Sequence, residues 1–180
     1  MQIHALWYAR YIQLYIFEKT ELLIKEQLNY LPRLMNPILK YIILPTEKLI
    51  VEYLGGKATW TDYLEMKKKE VADSSYNGNY SVITDIRDVD TRYTREMEGQ
   101  ILEYINYLIN QEIKLNHLTS IITNSPTQYL HSEFLKKHSH KINIKVQIYS
   151  TQEAAFAWVK LKPEEYENAS LALQILRDND

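Results

Sequence analysis

The side chains best suited to chemistry are concentrated between Tyr80 and Thr94, in the run Tyr-Ser-Val-Ile-Thr-Asp-Ile-Arg-Asp-Val-Asp-Thr-Arg-Tyr-Thr. Asp85, Asp88 and Asp90 are three carboxylates within six residues, with Arg87 and Arg92 interleaved. Carboxylates so grouped could ligate a hard cation, which needs several oxygens around one point. The interleaved guanidinium groups offer ion pairing instead, and pairing is the simpler outcome. Asp85 stands on the strand half of the run, where a carboxylate near a core must find a donor from an arginine or a neighbouring loop. His131, His138 and His140 raise zinc as an alternative, but zinc wants three or four ligands converging in fixed geometry. A His138-Ser139-His140 step after a helix does not supply that, and the three read as solvated histidines near a helix C-terminus. Ser125 stands in Thr-Asn-Ser-Pro-Thr, without the flanking glycines of a nucleophile elbow, and reads as a helix N-cap. No set of acid, base and oxyanion stabiliser assembles. The sequence assigns no catalytic residue, no metal and no cofactor.

Composition narrows the classes further. A chain of 180 residues, 46% apolar and 24% charged, suits one domain with a real core and is not that of a disordered segment. A net charge of -2 gives no general attraction to nucleic acid. The absence of cysteine excludes disulfides and thiolate chemistry and fits a reducing cytoplasm. Four glycines, at Gly55, Gly56, Gly78 and Gly99, cannot build a phosphate-cradling loop.

These residues must be positioned by elements that the pattern predicts as alternating strands and helices. Ile3, Trp7, Tyr11, Leu14 and Phe17 recur at helical spacing, so residues 1–30 read as an amphipathic helix packed on the domain or on a second copy of the chain. Ala5–Phe17 is interrupted by Arg10 and Gln13 and is too short for a transmembrane segment. Met35 is an alternative start, which would make residues 1–34 an upstream extension. Strands are predicted at Ile38–Leu44 and Leu49–Leu54, joined by the tight connector Pro45–Lys48. Thr59-x-x-Asp62 is a capping signal for a helix that turns Trp60, Tyr63, Leu64 and Val71 to the core, with Lys67-Lys68-Lys69 on a solvated face. A strand at Ser81–Ile86 precedes a long helix carrying Met97, Ile101, Ile105, Leu108, Ile109 and Ile113 at three- and four-residue steps. A strand at Leu118–Thr123 leads into a helix capped by Ser125 with Pro126 at its first position. Ile142, Ile144, Val146 and Ile148 alternate as a half-buried strand, and Ser150-Thr-Gln-Glu153 reads as a capping box for the next helix. After Pro163 the chain reads as an acidic, weakly helical tail. The expectation is an α/β domain over residues 35–162, with about five mostly parallel strands, an N-terminal hairpin and about four covering helices.

The hairpin Ile38–Leu54 ending in Gly-Gly, the Thr-Trp-Thr-Asp-Tyr-Leu helix start, the Val-Ile-Thr-Asp-Ile-Arg-Asp strand and the closing Val-Gln-Ile-Tyr-Ser-Thr-Gln-Glu-Ala-Ala-Phe-Ala-Trp-Val together resemble one family. Over residues 35–160 the chain resembles the SpoIIAA-like, STAS-fold (STAS/SEC14-like) domains in their small bacterial stand-alone form. That resemblance implies a mostly non-enzymatic regulatory module, of which the best understood are antagonists of anti-sigma factors, switched by phosphorylation of a serine after the central strand. Here that region reads Asp85-Ile-Arg-Asp88, with no serine and no glycine, so the phosphoserine does not carry over. Other relatives imply a small apolar or lipid-like ligand held in a SEC14-like manner.

Two functional expectations follow, with an unidentified enzyme kept as a third. In the first, Asp85, Arg87, Asp88, Asp90, Arg92 and Thr94 form a surface for a protein partner. Thr94 would cap the long helix, and Thr91 and Thr94 are the candidate phosphate acceptors. In the second, Ile83, Ile101, Ile105 and Tyr129 line an apolar pocket between sheet and helix.

Overall fold

A computed structural model of the chain describes residues 19–20, 36–90, 95–110 and 115–178. Thr91, Arg92, Thr94, Ile113 and nearly all of the leading segment lie outside the described residues.

Strands β1 (Ile38–Leu44), β2 (Leu49–Gly56), β3 (Ser81–Val89), β4 (His117–Ile122) and β5 (Ile144–Tyr149) form one sheet in sequential order. β1 and β2 pair antiparallel through the short Pro45–Lys48 connector, and every later pairing is parallel. Each parallel step needs a crossover. Helices α1 (Trp60–Ala72), α2 (Arg95–Asn110) and α3 (Pro126–His138) lie in the first two crossovers and the last one, and α4 (Gln152–Trp158) and α5 (Tyr166–Asp178) follow β5. Among the described residues no helix is long and apolar enough to cross a membrane.

The capping chemistry explains where helices begin. Thr59 accepts from the Asp62 N–H at 3.2 Å while the Asp62 carboxylate accepts from the Thr59 N–H at 2.9 Å, the expected reciprocal box. Ser125 Oγ accepts from the Gln128 N–H at 3.3 Å, which makes it the cap of α3. The box predicted at Ser150 is replaced by a single cap one residue later, where Thr151 Oγ1 accepts from the Ala154 N–H at 3.3 Å.

Two apolar layers sandwich the sheet. On one face Leu54, Tyr63, Met66, Ile101, Ile105 and Leu135 bring α1, α2 and α3 onto the strands. On the other, Val51, Tyr53, Ile83, Phe156, Ala169 and Leu173 bring α4 and α5. β2, an interior strand covered on both faces, is buried along all eight residues. Ile109, expected in the apolar stripe of the long helix, is instead 47% exposed, because the stripe of a 3.6-residue helix drifts off the contact line.

The segment after Pro163 corrects the sequence reading. Its acidic side chains face water, but Ala169, Ala172, Leu173 and Leu176 repeat at three- and four-residue steps and are all buried. Burial of each leucine is worth about 1.5–3 kcal/mol, so α5 belongs to the core rather than to a tail.

Candidate functional site

The site grows from two dipeptides on adjacent strands. β2 carries Glu52-Tyr53 and β3 carries Thr84-Asp85, and the parallel register sets Glu52 beside Thr84 and Tyr53 beside Asp85. Because successive strand residues point to opposite faces, one polar pair lies under α1 and the other under α5.

Under α1, Glu52 is fully buried. Its carboxylate accepts from Thr84 Oγ1 at 2.6 Å, from Lys67 Nζ at 2.7 Å and from the Tyr63 hydroxyl at 3.2 Å. Lys67 also donates to Glu70, which is likewise fully buried. Lys67 is only 6% exposed, so the solvated face expected of the lysine run holds for its neighbours and not for Lys67. Helical spacing is the reason: Trp60, Tyr63, Leu64, Lys67 and Glu70 recur at three- and four-residue steps, and from Tyr63 onward all are buried. Burial opposes charge on Glu52, yet the Lys67 ammonium and the converging donors hold its carboxyl below the usual range. Burial pushes Glu70 up to about 8: the Lys67 ammonium opposes the rise and the Glu52 charge adds to it. Lys67 stays charged because the two carboxylates outweigh its own burial. Around them, burial raises the phenols of Tyr63 and Tyr104 and lowers His117 to about 4.

Next to this network lies an apolar cleft of about 70 Å³, between the start of α1, the ends of β2, β3 and β4, and the middle of α3. A single water needs roughly 10–15 Å³ of such space, so the cleft admits a small molecule's apolar end. Its walls are largely Leu54, Ala58, Trp60, Ile86, Val89 and Ile121. Its polar lining is mostly committed elsewhere: Tyr63 and Thr84 donate to Glu52, and Ser132 donates to the Gln128 carbonyl at 2.9 Å. His131 also lines it. The sequence reading placed His131 in solvent, but it is 5% exposed, and burial lowers its pKa so that the imidazole is neutral at pH 7. Among the described residues no lysine, arginine, aspartate or glutamate lines this cleft. Its position, beyond the carboxyl ends of parallel strands, is where open α/β sheets bind ligands.

Under α5, Asp85 is 1% exposed and is gripped by Arg87 through two bonds, Nε to Oδ1 at 2.9 Å and an Nη to Oδ2 at 2.7 Å. Asp88 accepts from the Tyr53 hydroxyl at 3.0 Å and from Arg177 Nε at 2.9 Å. Arg177 also reaches Asp85 at 3.4 Å and lies over the Tyr53 ring. A bulge makes this possible. The register shifts between Tyr53 and Gly55, so that Asp88 pairs with Gly55 and faces the same side as Asp85. Gly55 matters too, because a Cβ there would come within 3.0 Å of the Tyr53 hydroxyl.

Of the residues expected to form a partner surface, the structure therefore unites Asp85, Arg87 and Asp88 and adds Tyr53 and Arg177. Asp90 is exposed, and its N–H extends the ladder to the Gly56 carbonyl at 2.8 Å. The four residues expected to line a pocket do not converge. Ile83 faces α4 and α5, Ile101 and Ile105 fill the core on the other face, and Tyr129 is 47% exposed on α3. His138 packs on the Phe134 ring, and His140 is exposed. Among the described residues no group of three or more histidines and acids converges as a metal site.

No family model matches the sequence, and no curated protein matches it. The structure is similar to the crystal structure of an uncharacterized protein from the DUF3478 family of Shewanella loihica PV-4, which has a SpoIIAA-like fold. The likeness has a TM-score of 0.48 at 12% identity and covers 69% of this chain and 95% of that one.

Proposed function

We propose that the domain is a non-enzymatic binding module whose cleft takes a small, neutral, apolar molecule. The observation that supports this is the cleft itself. It is walled by aliphatic and aromatic side chains, roofed by α1 and α3, and among the described residues carries no charged group in its lining. A charged head group would lose hydration there and find no ion to replace it. An apolar body loses nothing and removes surface from water at about 25 cal/mol per Å².

Titration with a neutral, environment-sensitive dye such as Nile red tests the reading. Saturable binding is expected, weakened at least about tenfold by Ala58→Phe, which fills the cleft from its rim, with the unfolding midpoint kept. Equal binding by the plugged variant, or no binding, rejects it.

The protein-partner reading has one specific support: Tyr129 and Leu130, adjacent on α3, are 47% and 56% exposed. Native mass spectrometry of the chain isolated from cells separates the two. A bound small neutral mass supports the cleft reading. A second polypeptide lost in a Tyr129→Ser, Leu130→Ser variant supports the partner reading.

A further inference from the structure

We infer that Glu70 is a proton-binding site on the helix whose first turns wall the cleft: a buried carboxylic acid that donates to Glu52 at neutral pH and, once ionised, loosens α1 and weakens binding in the cleft. The link to the cleft rests on the apolar-ligand reading above, whereas the proton itself can be followed with no ligand present.

The geometry requires a proton. Two fully buried carboxylates share one ammonium, that of Lys67. Glu52 receives three donors, but Glu70 Oε2 is buried and no donor among the described residues reaches it. The Glu52 and Glu70 side chains lie within hydrogen-bond reach of each other. A proton on Glu70 turns an unsatisfied acceptor into a donor to Glu52 and brings the cluster of Glu52, Lys67 and Glu70 to zero net charge. Losing it leaves one uncompensated negative charge inside the protein.

The surroundings make Glu70 the responsive group. Facing it are Lys67 and Tyr63 on α1, Glu52 on β2, Tyr104 on α2 and Tyr76 in the turn after α1, while His117 on β4 faces Lys67 and Glu52. On β1, Tyr41 joins them, with its hydroxyl donating to Asp73 at 3.5 Å. Burial raises all four phenols, the carboxylates keep Lys67 charged, and His117, lowered to about 4, is neutral above pH 5. Glu70, raised to about 8, changes charge where they do not. An acid raised in the folded state stabilises fully below its unfolded value, and that stability is lost as pH rises through about 8.

The connection to the cleft is direct. Tyr63 and Thr84 donate to Glu52 and also line the cleft, and Thr59 and Trp60 at the start of α1 form its rim. Repulsion between ionised Glu70 on α1 and Glu52 on the sheet pushes that wall outward.

Glu70→Gln supplies the decisive comparison, since its amide donates to Glu52 and does not titrate. Unfolding midpoint and Nile red affinity are measured for both proteins between about pH 6 and 9.5. The wild type is expected to lose stability as pH rises toward about 8 and to level off above it, and to lose at least about fivefold in dye affinity as pH rises through about 8, while the variant stays flat in both. Parallel slopes in the two proteins overturn the proton site. A wild-type slope in stability with unchanged dye affinity overturns its coupling to the cleft. Infrared spectroscopy of the wild type covers the case of a variant that does not fold. A protonated carboxylic acid band at pH 7 that disappears by about pH 9 is expected, and its absence at pH 7 rejects the inference. If no dye binds at any pH, the ligand reading fails while midpoint and infrared band still judge the proton.

Discussion

On the α1 face of the sheet, Glu52 and Thr84 sit in a buried network where two carboxylates meet one lysine. One residue further along the same strands, on the α5 face, Asp85 and Asp88 meet Arg87 and Arg177. The side chains of Arg87, Arg177 and Asp88 remain 20%, 37% and 31% exposed. The two clusters differ in charge balance and in access to water, and those two variables decide their behaviour. Two cations for two anions need no proton, and partial hydration softens any loss. One cation for two anions in a buried site makes a proton part of the structure. A charge cluster is therefore informative about function when its count does not close.

Removing Lys67 should give the largest effect. Lys67→Met fills the same volume but strands Glu52 without its counter-charge, and breaking a buried pair from one side costs about 3–5 kcal/mol. Denaturant unfolding should show that loss. Adding Glu52→Gln and Glu70→Gln should recover most of it, because a neutral, hydrogen-bonded trio no longer needs the ammonium. A Lys67→Met loss below about 1 kcal/mol would place the α1 cluster with ordinary surface pairs and dissolve the contrast.

Arg87→Ala should rank second. Asp85 would keep Arg177 at 3.4 Å but lose both short bonds from Arg87, and a charge-assisted hydrogen bond is worth about 1.5–3 kcal/mol. The loss should shrink as salt rises, since this cluster opens to solvent, whereas the Lys67→Met loss should not. Equal salt dependence of the two would mean that both clusters are equally wet.

The order of strands and helices was legible because each element obeys its own period. β2 is continuously apolar apart from one residue, and α2 repeats at three and four. That one exception, Glu52 inside Leu-Ile-Val-Glu-Tyr-Leu, was the available signal for a buried charge. Lys67 fell in the same helical stripe as Tyr63 and Leu64, yet the three-lysine run disguised it. The α5 cluster was hidden for a different reason. In a regular strand, residues three apart point to opposite faces, so Asp85 and Asp88 share a face only through the bulge, which depends on the pairing with β2. Arg177 lies 92 residues from Asp85 in sequence, within a segment whose acidic surface masked its buried alanines and leucines. Long-range closure of this kind is set by packing and leaves no local pattern.

Asp88 should show the smallest effect and test whether the two faces are independent. Asp88→Asn preserves the shape, and its one amide oxygen can replace Oδ2, which accepts from both Tyr53 and Arg177, so the change is chiefly one of charge. Arg177 keeps Asp85 and the Tyr53 ring, and the site is open enough for water to serve the remaining groups. The cost should be about 0–1 kcal/mol, as for other solvent-accessible pairs. Asp88 does not line the cleft and points away from it, so Nile red affinity and the pH slope assigned to Glu70 should both be unchanged. Combining Asp88→Asn with Glu70→Gln should then give additive stability changes within about 0.5 kcal/mol, as distant sites without shared partners do. A larger interaction energy would show that the strands Glu52-Tyr53 and Thr84-Asp85 transmit charge from one face to the other. The α5 cluster would then be part of the switch rather than a separate clasp.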